Sequence, residues 1–116
     1  MKAEMIPSER TRGKVLVLKP EGRLDSNTIN AAETDMFSHL EKGETRVVLD
    51  LSKLDYISSS GLRLVLMMGK RLNLKGGKLA LCGLKPQIRE VFEISGFISI
   101  LTVVGNREEA EAAVSR

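Results

Sequence analysis

Apolar residues recur along the chain with two different periods, and the changes between them mark out the elements. Residues 4–8 and 15–19 are apolar-rich and are joined by Arg10-Thr11-Arg12-Gly13, which predicts two strands in a hairpin with a short glycine-containing turn. Val15-Leu16-Val17-Leu18 is an unbroken apolar run, as expected of a strand buried on both faces, so the second strand should lie deeper in the sheet than the first. Pro20-Glu21-Gly22 interrupts the run. From Asn27 onward Ile29, Ala32, Met36, Phe37 and Leu40 fall near one face of a 3.6-residue period, and Gly43 stands where this first helix should stop.

The same alternation continues to the C-terminus. Arg46–Asp50 is β-branched and apolar at its centre and predicts a buried strand, with Leu54–Ile57 continuing as a loop toward three serines. Leu62, Val65, Leu66, Gly69 and Leu72 mark a second helix that ends at Gly76-Gly77. Lys78–Cys82 is a further strand. Pro86 suits the first turn of a third helix carrying Ile88, Val91, Phe92 and Ile94, closed by Ser95-Gly96. Residues 98–104 form a last predicted strand and residues 107–114 a last helix. The order ββαβαβαβα predicts an α/β fold: a mixed sheet with right-handed crossovers between parallel strands and an antiparallel edge from the opening hairpin.

Composition narrows the classes of function. With 42% hydrophobic and 28% charged residues in 116, the chain reads as one folded domain over residues 1–116, not as a disordered or coiled-coil protein. Its longest apolar stretch, Leu64-Val65-Leu66-Met67-Met68, is far short of the roughly 20 residues that cross a bilayer. Met1-Lys2-Ala3-Glu4 has no apolar signal core, so a cytoplasmic protein without membrane insertion is expected. Cys82 is the single cysteine, which fits a reducing compartment, reads as a small core filler, and leaves no ligand set for a metal or other cofactor. Lys and Arg number 18 against 15 Asp and Glu, but they are scattered, and with no Trp, one Tyr and three Phe the chain lacks the stacking surfaces of a nucleic-acid binder.

Chemistry concentrates at Ser58-Ser59-Ser60. Three serines before an apolar helical stripe place at least one at the N-cap, where its oxygen accepts a backbone N–H and contributes about 1 kcal/mol. A serine here would also sit at the carboxyl end of a strand beside the positive end of a helix. A phosphate at that place would meet N–H donors and a favourable dipole.

The stretch Asp50-Leu51-Ser52-Lys53-Leu54-Asp55-Tyr56-Ile57-Ser58-Ser59-Ser60-Gly61-Leu62-Arg63 resembles the signature of the STAS domain of bacterial anti-sigma-factor antagonists. Gly22-Arg23-Leu24-Asp25 is similar to that family's earlier G-x-L-D motif, and Gly76-Gly77, Pro86 and Ser95-Gly96-Phe97 extend the likeness over nearly the whole chain. The resemblance implies a four- to five-stranded mixed sheet with helices mainly on one face. It also implies a phosphoprotein switch that binds an anti-sigma factor with serine kinase activity and so frees a sigma factor. Aligned on Gly61, the family's phosphorylated serine falls at Ser59, and a phosphatase would reset it. The implied partner surface comprises Asp25, Ser26, Asn27, Ser58, Ser59, Ser60, Gly61, Arg63 and Leu64. Where the family pattern D-S-S/T-G has aspartate, this chain has Ser58, which removes a charge beside the acceptor and leaves Ser58 and Ser60 as competing acceptors. The same resemblance admits a second role, as the binding module of a lipid or anion transport complex.

Other polar residues have plainer readings. Asp25, Ser26 and Asn27 are all good helix caps. Asp50 and Asp55 suit Asx-type turns better than a carboxylate pair, and His39, the sole histidine, reads as a solvated helix residue. In the second helix Leu64, Met67 and Met68 fall off the main stripe, which predicts either packing on the third helix or a partner surface centred on Leu64. A hydrolase reading fails on sequence, because the residues around Ser59 read S-S-S-G-L instead of the G-x-S-x-G of a nucleophile elbow; the chain is not expected to be an enzyme. The edge of the first strand is a candidate pairing site for a second copy.

Overall fold

A computed structural model describes residues 6–11 and 13–115. The elements are β1 (Ser8–Arg10), β2 (Leu16–Leu18), β3 (Gly22–Leu24), α1 (Ile29–Glu41), β4 (Arg46–Asp50), β5 (Leu54–Ile57), α2 (Ser59–Leu74), β6 (Lys78–Cys82), α3 (Pro86–Ser95), β7 (Thr102–Val104) and α4 (Arg107–Ser115). Five strands form a mixed sheet in the order β1-β2-β4-β6-β7. Only β1 runs antiparallel to its neighbour; β2, β4, β6 and β7 are parallel. The all-apolar β2 is wholly buried between β1 and β4, as its unbroken run requires.

The sheet separates two apolar layers. On one face Leu16, Leu18, Val47, Leu49, Leu79 and Leu81 meet the buried sides of α1, α2 and α3. On the other, Val15, Val17, Val48, Ala80 and Cys82 pack against Ala110 and Val114 of α4. Alternate residues of each strand thus serve alternate layers, the period-2 geometry of a strand covered on both sides. Cys82 is a core filler here, and burial pushes its thiol up to about 11.

Four elements depart from their sequence pattern. Among the described residues the first strand is Ser8–Arg10, whose side chains are all exposed, and of the expected strand over residues 4–8 Ile6 and Pro7 lie outside it; Glu4, Met5 and Arg12 of the expected hairpin lie outside the described residues. Main-chain bonds decide this register, not side-chain burial: Ser8, Glu9 and Arg10 pair with Leu18, Val17 and Leu16, and Thr11 closes the turn by accepting from Lys14 N and donating to the Val15 carbonyl, both at 3.0 Å. The strand's charges are engaged, Glu9 with Arg107 and Arg10 with Glu44. Leu54–Ile57 is a strand instead of a loop, and it pairs in parallel with Gly22–Leu24 in a separate two-stranded sheet. The last strand is also shorter than residues 98–104. Gly96 takes φ 82°, a left-handed conformation open to glycine, and turns the chain into one 3₁₀ turn over Phe97–Ser99 before β7 begins.

Burial corrects three further expectations. Leu64 is 2% exposed and Met68 wholly buried, because α2 is covered by the sheet on one side and by α1 on another and so needs more than one apolar stripe. Ile94, counted on the stripe of α3, is 80% exposed. His39 is 16% exposed and lies 3.8 Å from Asp35, where the chain folds back over the end of α1 through bonds from the Lys42 and Glu44 N–H groups to the His39 carbonyl.

Candidate functional site

The two-stranded sheet exists to hold two turns side by side. Its register pairs Leu24 with Ile57, and the Ser58 N–H donates to the Leu24 carbonyl at 2.8 Å. The next residue of one strand, Asp25, and the first turn of α2 therefore emerge at the same end of the fold.

Ser58 is the N-cap of α2. Its φ and ψ are extended (−90°, 175°) and its Oγ accepts the Gly61 N–H at 3.2 Å. An aspartate would satisfy the same donor, so the departure from the family pattern at Ser58 keeps the cap and removes only the charge. Ser59 follows as the first helical residue and is exposed, whereas Ser58 and Ser60 are half-buried. The N–H groups of Ser59 and Ser60 lie in the first turn, where a helix offers no carbonyl four residues back.

Gly61 explains why a glycine closes the serine run. A Cβ there would stand 2.7 Å from Ile57 Cγ1 and 3.0 Å from both the Cβ and the carbonyl oxygen of Leu24. Only the bare backbone lets the first turn of α2 lie this close to the β3–β5 pair.

Asp25 is 9% exposed and organises the neighbouring turn. Its Oδ1 accepts from the N–H of Asn27 at 2.9 Å and of Thr28 at 3.2 Å, while its own N–H donates to Thr28 Oγ1 at 3.0 Å. It thus caps the approach to α1, leaving Ser26 and Asn27 exposed at the turn's tip. Arg23 Nε donates to Asp25 Oδ2 at 2.8 Å, and this hydrogen bond, with those from Asn27 and Thr28, holds the carboxyl below the usual aspartate range. The Arg23 guanidinium also lies 4.3 Å from the centre of the Tyr56 ring, its neighbour across the β3–β5 pair.

Of the residues implied as a partner surface, Asp25, Ser26, Asn27, Ser58, Ser59, Ser60 and Gly61 converge on this end of the fold. Arg63 lies exposed one turn further along α2. Leu64 does not join them, since it belongs to the core. Sequence reasoning left out Arg23, Tyr56 and Thr28. The first two stood inside the matched motifs, and the single tyrosine of so aromatic-poor a chain was the available signal. Asp50 forms the expected Asx-type turn, accepting from Ser52 N at 3.0 Å, but Asp55 instead pairs with Lys85 at the start of α3. Among the described residues no group of three or more His, Cys, Asp or Glu could hold a metal ion, and no helix is long and apolar enough to cross a membrane.

Comparison with known proteins places this geometry in context. Residues 7–110 match the model of the STAS domain. The chain is 50% identical over 99 residues to BtrV of Bordetella bronchiseptica, named as a candidate anti-sigma factor antagonist, with 85% of each chain covered. It is 31% identical over 106 residues to the anti-sigma F factor antagonist of Paenibacillus polymyxa, covering 90% of each. Its fold is similar to that of the Bacillus cell fate determinant SpoIIAA in the phosphorylated form, with a TM-score of 0.73 and 23% identity over 96% of this chain and 99% of that one.

Proposed function

Given that the chain belongs to the STAS-domain family of anti-sigma factor antagonists, we propose that it is a partner switch controlled at Ser59. In this reading the unmodified chain binds an anti-sigma factor with serine kinase activity and releases the sigma factor. Phosphorylation of Ser59 by that kinase ends the binding, and a phosphatase restores it. The chain works as a single cytoplasmic STAS domain over residues 1–116, by binding and without a reaction of its own.

The observation that carries this reading is the different exposure of three adjacent serines. Ser58 accepts the Gly61 N–H, Ser58 and Ser60 are half-buried, and Ser59 is the exposed one of the three, the serine most open to a kinase. A phosphate on Ser59 would meet first-turn N–H groups and the positive end of α2, so the fold can accept it. A partner covering Ser59 and the Asp25 turn would have to strip water from about 1.5–2 additional negative charges, which opposes association.

Incubation of the full chain with its cognate kinase and ATP, followed by peptide mass spectrometry, tests the assignment. A single phosphate on Ser59 is the expected result. Modification confined to Ser58 or Ser60 would reject it.

A further inference from the structure

A second surface lies along the outer side of α2, beyond the Ser59 end. Leu66, Met67 and Gly69 of α2, Leu79 of β6, and Ile100 and Leu101 ahead of β7 line an open groove of about 690 Å³. Asn73, Lys78 and Thr102 add polar groups to this lining, and the apolar Ile100 is 67% exposed. Arg63 and Lys70 stand on the α2 side, both exposed, with neither engaged in an ion pair among the described residues. Among the described residues no acidic side chain lines the groove. A groove with an apolar part and two cations, Arg63 and Lys70, that pair with no acidic group among the described residues is complementary to an acidic, amphipathic occupant.

Spacing selects which one. Arg63 and Lys70 are seven residues apart on one helix, about 10 Å along its axis at 1.5 Å per residue, with Met67 between them. A fatty acid or a phosphate carries one anionic centre and reaches only one of the two. An α-helix lying alongside α2 repeats the same rise, so carboxylates at its positions i and i+7 meet both cations, and apolar residues at i+3 and i+4 fall on Met67 and Leu66. A methionine at that contact adapts its shape readily. The chain's own acidic helix cannot serve in a second copy, because α4 already buries its apolar side, Ala110 and Val114, against the sheet.

We propose that this groove docks an acidic amphipathic helix of a partner protein, with Arg63 and Lys70 pairing carboxylates two turns apart. Arg63 also belongs to the partner surface implied for the Ser59 switch, whereas Lys70 lies outside it, so Lys70→Glu tests the groove apart from the switch.

The test uses the full chain, ¹⁵N-labelled, titrated with a synthetic helical peptide carrying Glu at i and i+7 and Leu at i+3 and i+4. A peptide with Lys in place of both Glu, and dodecanoate, are titrated in parallel. The expected result is movement of the Leu66, Met67, Lys70, Ile100 and Leu101 amide signals with the Glu peptide, and at least about tenfold weaker binding of the Lys peptide. Arg63→Glu and Lys70→Glu, both at exposed positions, should each weaken the Glu peptide about tenfold with a native amide spectrum retained. Equal binding of the two peptides, or no movement at the groove, overturns the proposal. Dodecanoate binding there more tightly than the Glu peptide would make it a lipid site instead, and groove signals that move on dilution of the free protein would make it a self-association face.

Discussion

The Ser58 N–H donates to the Leu24 carbonyl at 2.8 Å, and through this one bond the start of α2 is registered against the end of β3. The consequence is positional. Asp25 follows Leu24 and Ser59 follows Ser58, so two turns far apart in sequence present themselves together, on a small sheet whose own strands are only three and four residues long.

Closeness at that junction depends on Gly61. Gly61→Ala places a methyl carbon 2.7 Å from Ile57 Cγ1 and 3.0 Å from Leu24, and the first turn of α2 must move away. We expect a loss of about 1–3 kcal/mol of stability, the usual cost of overpacking, measured by urea denaturation. An alanine variant as stable as the parent would show that the helix start is not held against β3 and β5.

Ser58 should prove to be a cap that aspartate can replace. Ser58→Ala leaves the Gly61 N–H without its acceptor and should cost about 1 kcal/mol, while Ser58→Asp should match or exceed the parent, since a carboxylate at a helix N-terminus is favoured. Thermal melts of the two variants separate these outcomes. Equal loss in both would assign the role of Ser58 to something other than capping.

Asp25 gives the site a pH signature. Its carboxyl is held below the usual range by the hydrogen bond from Arg23 and by those from Asn27 and Thr28, so its folded pKa lies under the unfolded value of about 3.9. The stabilisation is therefore complete above that value and is lost as pH falls through the folded pKa. Arg23→Gln should raise the Asp25 titration midpoint, followed by carboxyl carbon NMR, and Asp25→Asn should flatten the acid limb of the stability curve. An unmoved midpoint in Arg23→Gln would remove Arg23 as the cause.

Much of this was legible in the chain itself, for identifiable reasons. Val15-Leu16-Val17-Leu18 announced a buried strand because a run apolar on both faces has few other uses, and Pro86 and Gly96 bracketed α3 with almost no shift. The three serines and Gly61 marked a helix start, which is where they are. What escaped were features made by main-chain pairing and not by side-chain pattern. β1 is built from Ser8, Glu9 and Arg10, and β3 from Gly22, Arg23 and Leu24, sequences with no strand periodicity that are held by bonds to β2 and β5. Leu64 was misplaced for a related reason. A helix covered on more than one side buries residues that a single-stripe pattern assigns to the surface.

The switch at Ser59 is the central claim, and calorimetric titration of the anti-sigma partner with the unmodified and the Ser59-phosphorylated chain tests it most directly. The two forms should share one circular dichroism spectrum, because first-turn N–H groups receive the phosphate without rearrangement. The phosphorylated form should bind at least about tenfold more weakly, a difference of about 1.4 kcal/mol, and Ser59→Ala should bind like the unmodified chain even after exposure to kinase and ATP. Equal affinity of the phosphorylated and unmodified forms would contradict the account, even with the phosphate mapped to Ser59.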